Sequence, residues 1–257
     1  MIPLKDENPV SSTPVVTILL IAINIVVFLT EPLFASGQDA QFQEAKYFAC
    51  RAAIPYEVTH GERIADARLR GVEFEDRIDN VFAEIERISC PQKNVWLSIF
   101  VSMFLHGSIL HIAGNMLFLW VFGNNVEDRL GKGKFVAFYL LSGIAATYAQ
   151  SYVFPSSATP LVGASGAIAG ILGAYLLMFP RARIKSLVIL VVFITMIELP
   201  ASIVIGLWFV LQLVSSVGSV AADTGVAYMA HVGGFLAGMI LLLIFRPRPA
   251  SAMTHPY

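Results

Sequence analysis

The sequence predicts an all-α membrane protein: a bundle of six transmembrane helices with a long outer loop between the first two. Three observations carry this. Of 257 residues, 56% are hydrophobic and only 14% charged, against about a quarter charged in ordinary soluble domains. Mean hydropathy is +0.71, and a soluble fold of this length cannot hide so much apolar surface, so the bilayer is its natural solvent. Third, charge is unevenly placed. After Lys93 it falls in short clusters (Glu127 to Lys134; Arg181, Arg183 and Lys185; Arg246 and Arg248), with Glu198 and Asp223 the only others. Long apolar runs between small basic clusters are the pattern of helical membrane proteins. A net charge of −1 gives no hint of a nucleic-acid partner.

The first apolar run, 15–29, is entered at Pro14 and left at Glu31-Pro32. Proline fits the first turn of a helix and stops one at its end. A retained first span is expected. The rival is a cleaved signal peptide, with small residues at Ala35-Ser36-Gly37, but Asp6 and Glu7 offset Lys5 in the leading segment. Residues 33–94 are polar and form an extracytoplasmic loop. In it, Phe74, Ile78, Val81, Phe82, Ile85 and Ile88 recur at helical spacing, predicting an amphipathic helix.

Apolar residues 96–105 approach from the outer surface, and the second span runs over about 110–126. The third covers 135–153, and the fourth is the short, glycine-rich stretch 165–179 ending at Pro180. Residues 186–197 would rise only ~18 Å as a helix, against a hydrocarbon core of ~30 Å. The stretch 186–199 is therefore expected to be interfacial or re-entrant, leaving 201–218 and 226–245 as the last two spans. The domain reading is a cytoplasmic tail 1–13, a membrane domain 14–247 and a cytoplasmic tail 248–257.

Six spans put both termini on one side. The basic clusters share that side, whereas loops 154–164 and 219–227 carry no Lys or Arg. The positive-inside rule then makes the termini cytoplasmic, in a multi-pass protein of the cell (inner) membrane. Cys50 and Cys90 fall in the outer loop, in an oxidising compartment. A disulfide and two free thiols are both open, because spacing alone proves nothing.

Polar groups inside spans are costly and usually functional. His111 and Asn115 are four apart on one face of the second span. Ser165 opens the fourth, and His231 lies near the start of the sixth. Helices two, four and six all run inward from the outer side, so these groups share a depth. Small residues recur every four positions at Gly166, Gly170 and Ala174, and at Ala230, Gly234 and Gly238. Such faces let helix backbones approach closely. A serine hydroxyl is weakly nucleophilic until a base takes its proton, so Ser165 and His231 suit a nucleophile and its base. The backbone N–H of Ser165 at a helix N-terminus, the Asn115 amide and a His111 ring N–H suit an oxyanion hole. The plainer readings are packing for the small residues and interhelical hydrogen bonds for His111 and Asn115.

The stretch from His106-Gly107-Ser108 through His111 to Gly114-Asn115 resembles the second-helix motif of rhomboid proteases. Gly163-Ala164-Ser165-Gly166 resembles their GxSG motif, and Ala230-His231-Val232-Gly233-Gly234 their last-helix histidine motif. One GxSG is weak; three motifs in order on three predicted helices are specific. The resemblance covers about residues 14–247. It implies a rhomboid-like six-helix bundle and a Ser–His dyad with no acid: Ser165 attacks and His231 is base, then acid. It also implies that His111 and Asn115 hold the oxyanion, that His106 lines a water-filled cavity, and that Glu127 to Gly131 form a structural turn. Gly163 and Gly166 support the serine.

There are departures. A tyrosine that some members carry four residues after the serine is Ala169 here, so another group must orient His231. Trp96 is followed by Leu97 where some members have Trp-Arg. Asp223 is a candidate to orient His231, or a solvated loop carboxylate.

The reaction implied is hydrolysis of a peptide bond in or near a transmembrane segment of a membrane-protein substrate, with the lipid bilayer as the other partner. No cofactor and no metal are expected. Trp208 and Phe209 are either gate residues beside the fifth helix or lipid-facing aromatics. One rival is a catalytically silent relative that binds membrane clients, which predicts a missing serine or histidine. Another is a transporter or channel, which predicts inverted repeats or paired mid-membrane charges; the sequence shows no repeat, and Glu198 is the only acid near a span interior.

Overall fold

A computed structural model describes residues 1–34, 39–74, 77–190, 193–219 and 226–248. The segment 35–37, Asp223 and the tail beyond Arg248, with His255, lie outside the described residues.

The fold is mostly helical. Strand β1 (Ile2–Asp6) leads into α1 (Val15–Leu29) and a 3-10 turn (Pro32–Phe34). Four helices follow in the polar segment: α2 (Ala40–Arg51), α3 (Pro55–His60), α4 (Ile64–Leu69) and α5 (Arg77–Ser89). Then come α6 (Val95–Ser102), α7 (Ile109–Leu130), α8 (Lys132–Val153) and α9 (Ser165–Met178). Strands β2 (Arg183–Leu190) and β3 (Phe193–Pro200) precede α10 (Ala201–Ser219) and α11 (Tyr228–Phe245). Among the described residues, α7 and α11 are long and apolar enough to cross a membrane by length and composition; α1, α9 and α10 are shorter apolar helices.

One expectation needs correction: the fold is not purely α, because β1, β2 and β3 form an antiparallel sheet in that order. Residues 186–199, expected to be interfacial or re-entrant, form most of the β2–β3 hairpin, running in register from Arg183↔Pro200 to Leu190↔Phe193. The length argument compared that stretch only with a membrane helix. Its Val188, Ile194, Thr195 and Ile197 are β-branched and favour strands. Lys185 lies between two carboxylates, 3.3 Å from Glu7 and 3.5 Å from Glu198.

The sheet is tied to the helices. Asp6, buried at the end of β1, accepts from the Tyr175 hydroxyl of α9 at 2.8 Å and from Asn125 Nδ2 of α7 at 2.6 Å. The end of α7 serves α1: Glu127, in the last turns of that helix, accepts from the backbone N–H groups of Val16 (2.9 Å) and Thr17 (2.7 Å), orphan donors at a helix start. Helix α9 sits at the centre of the bundle, almost wholly buried. It meets α11 so closely that a Cβ on Gly234 or Gly238 would run into the carbonyl of Gly166 or Gly170.

The polar segment folds onto the loop before α9. Cys50 and Cys90 are joined in a disulfide. A small core of Ile54, Tyr56, Ile64, Phe74 and Ala83 takes in Ala158 from that loop. Lys93, buried, lies 2.6 Å from Glu57 and 3.4 Å from Glu86, both also buried.

Candidate active site

Ser165 is the first residue of α9, and the chain reaches it through Gly163 at φ +124. That conformation disfavours any L side chain. A Cβ on Gly163 would also lie 2.8 Å from His111 Nε2. Ser102, at the end of α6, holds the approach: its carbonyl accepts from Gly163 N at 2.9 Å and its hydroxyl from Ala53 N at 2.6 Å.

The structure brings Ser165 and His231 together. His231 Nε2 is 2.8 Å from Ser165 Oγ, across the α9–α11 contact. The other ring nitrogen, Nδ1, is 2.7 Å from Gln212 Oε1 on α10. Trp208, one turn before Gln212, has its ring centroid 6.0 Å from the His231 ring; Tyr228 stands edge-on at 6.4 Å. Ala169 is fully buried and offers no polar side-chain atom. Phe209 stacks on Phe235 at 4.2 Å. Trp208 and Phe209 thus both pack toward α11 instead of facing lipid alone.

His111 reaches the site from α7, its Nε2 lying beside Gly163 as Ser165 Oγ does; Asn115 follows one turn later on the same helix. Ser108 caps that helix, accepting from His111 N at 3.1 Å. Asn115 is buried, and among the described residues its Nδ2 donates to no group. His106 is buried, neither of its ring nitrogens has a hydrogen-bond partner among the described residues, and its ring centroid is 5.1 Å from that of His111. Its backbone N–H donates to Glu31 Oε1 at 2.9 Å. Burial pushes the Glu31 carboxyl up to about 7.

A cavity of about 40 Å³ adjoins Ser165, lined by Ser102, Met103, Gly143, Thr147 and Ala230 among others. That is room for a few waters or a small side chain. Gly166 forms part of its wall; a Cβ there would lie 2.6 Å from the Ala146 Cβ. Among the described residues no cluster of His, Cys, Asp or Glu could hold a metal ion.

Gln212 is the site residue that sequence reasoning missed. Its signal was available: an amide inside the apolar run 201–218, where polar groups are costly. It belongs to none of the three motifs, so nothing drew attention to it.

A half-buried serine at a helix N-terminus thus stands within hydrogen-bond reach of a half-buried histidine in a helical bundle, the arrangement of a hydroxyl beside a base. The chain belongs to the rhomboid family: the rhomboid domain matches residues 93–248, more than half of it. The family consists of integral membrane proteins. Among similar proteins, Rhomboid protein 1, mitochondrial, of Saccharomyces cerevisiae is 32% identical over 149 residues, 56% of this chain and 40% of that protein. Rhomboid protease GluP of Bacillus subtilis is 46% identical over 81 residues, 32% of this chain and 15% of GluP. RHOMBOID-like protein 5 of Arabidopsis thaliana is 27% identical over 243 residues, 93% of this chain and 70% of that protein. The matches thus cover well under half of the yeast and Bacillus proteins.

Proposed function

We propose that this chain is an intramembrane serine endopeptidase that hydrolyses peptide bonds in or near transmembrane segments of membrane proteins. The observation that carries the reading is the 2.8 Å contact between His231 Nε2 and Ser165 Oγ. His231 takes the hydroxyl proton as Ser165 attacks the scissile carbonyl carbon. The oxyanion is met by the Ser165 N–H, the Asn115 Nδ2 and the His111 ring. His231 then protonates the leaving amine, and water, deprotonated by the same ring, releases the acyl group. A substrate helix must first unwind, because its carbonyls are already hydrogen-bonded; glycine in the substrate favours this. His106 and His111 are the polar groups best placed to admit water.

Six spans, α1 and α7 to α11, fit the contacts between connecting segments. On the inner side, β1 pairs with β2 and Arg248 N donates to Arg129 O at 2.8 Å. On the outer side, Tyr56 N donates to Ser157 O at 3.0 Å. This supports termini that share the face bearing the basic clusters, with residues 33–94 outside. The expected cell (inner) membrane is not carried over, because the relatives' names include mitochondrial proteins as well as a bacterial one.

The test is cleavage of a single-span substrate by wild type, Ser165→Ala and His231→Ala in liposomes. Wild type should cut and both folded variants should not. A folded wild type inert on several substrates would favour client binding without catalysis.

A further inference from the structure

We propose that Gln212 is a positioning residue for His231, fixing the imidazole tautomer in the way an acidic third member does in other serine hydrolases. The inference rests on the serine-protease reading of the site.

A neutral imidazole carries one N–H, on Nδ1 or on Nε2. Only the Nδ1–H form leaves a lone pair on Nε2 to take the Ser165 proton. Gln212 Oε1, a carbonyl oxygen, can only accept, and it lies 2.7 Å from Nδ1. The proton therefore sits on Nδ1, and Nε2 faces Ser165 Oγ at 2.8 Å as an acceptor. When the imidazolium forms during attack, the same Nδ1–H···O bond becomes charge-assisted and tightens. The acceptor is neutral, so no second charge has to be buried in an apolar bundle. Among the described residues no other side chain hydrogen-bonds the ring besides Ser165. Helix α9 cannot supply an anchor, since Ala169 stands one turn below the serine. Helix α10 supplies two things from one face, the Gln212 acceptor and, four residues earlier, the Trp208 ring against the imidazole.

The test uses the full chain in detergent with ¹⁵N-labelled histidine, the His231 signals being assigned by their loss in His231→Ala. At a pH where the ring is neutral, wild type should show Nδ1 protonated and Nε2 bare. Gln212→Leu, similar in size but without an acceptor, should lose that preference; Gln212→Glu should keep it. In cleavage assays Gln212→Leu should lower kcat by about 10²-fold, the lower end of what general-base catalysis contributes, with KM changed less than about twofold. Gln212→Glu should recover most of the rate. A wild-type proton on Nε2, or a folded Gln212→Leu with wild-type tautomer and rate, overturns the proposal. If the tautomers behave as stated but wild type cleaves nothing, the protease reading fails and the positioning of the ring stands.

Discussion

Leu161 N donates to Ala53 O at 2.8 Å, in a short antiparallel bridge that joins the outer segment to the loop ending on Ser165. Ala53 lies three residues beyond Cys50, and its own N–H is held by Ser102. The helices of the polar segment are therefore a splint for the approach to Ser165, the proposed nucleophile. Removing the Cys50–Cys90 bond, which closes a separation of 40 residues, should destabilise the outer segment by up to about 4 kcal/mol on the chain-entropy account. Cleavage should also slow. Thermal melting and initial rates with and without reductant check this; a reduced protein that melts and cuts like the oxidised one would discard the splint.

Gly163→Ala should cripple the site while leaving the bundle folded. The left-handed φ strains any side chain by roughly 1–3 kcal/mol, and the new methyl would press on His111 Nε2, 2.8 Å away. The expected loss in kcat is on the order of 10²-fold, the cost of misplacing a reacting group by about 1 Å. Rates beside a melting curve separate the two effects. Wild-type activity would mean the loop tolerates another conformation.

Asn115→Ala separates an oxyanion donor from a structural amide. Nδ2 has no hydrogen-bond partner among the described residues, so its removal breaks no hydrogen bond to any of them. Stability should barely change, whereas kcat should fall about 10²-fold with KM little altered. A large drop in melting temperature would assign Asn115 to packing.

Glu57 makes the outer segment sensitive to pH. Burial pushes its carboxyl up to about 8, with Glu86 adding to the shift and the Lys93 ammonium opposing it. Because the folded state binds the proton more tightly than the unfolded one, this stability is complete below the ordinary glutamate range. It is lost as pH rises through about 8. Amide exchange within residues 39–94 should therefore quicken relative to the bundle as pH rises from about 5 to about 8.5, after correction for intrinsic rates. Glu57→Gln should flatten that trend. Glu31 contributes with the same sign, so the difference between wild type and Glu57→Gln isolates the Glu57 share. No difference would mean the carboxylates there are ionised throughout.

Much of this was legible in the sequence because a membrane imposes long apolar runs and makes each polar residue within them conspicuous. The run 15–29 coincides with α1, and the predicted starts of the fourth and fifth helices, residues 165 and 201, are those of α9 and α10. Ser165, His231, His111 and Asn115 stood out for the same reason. The β2–β3 hairpin did not, because an eight-residue apolar strand and a fragment of buried helix look alike until a partner is known. Its strand partner, β1, comes from the far end of the chain. Helices α2 to α4 were hidden for the opposite reason: short, polar and held by tertiary contacts, they carry little periodicity. The cysteine pairing was open until the fold brought the two Cα atoms within 5.3 Å.

The central claim is that His231 activates Ser165 as a nucleophile. Its most direct measurement is covalent capture: wild type, His231→Ala and Ser165→Ala treated with a serine-reactive fluorophosphonate and read by intact mass and peptide mapping. The account predicts one adduct on Ser165 in wild type and none in either folded variant. A wild type that stays unmodified, or an adduct that persists at full rate without His231, would contradict it.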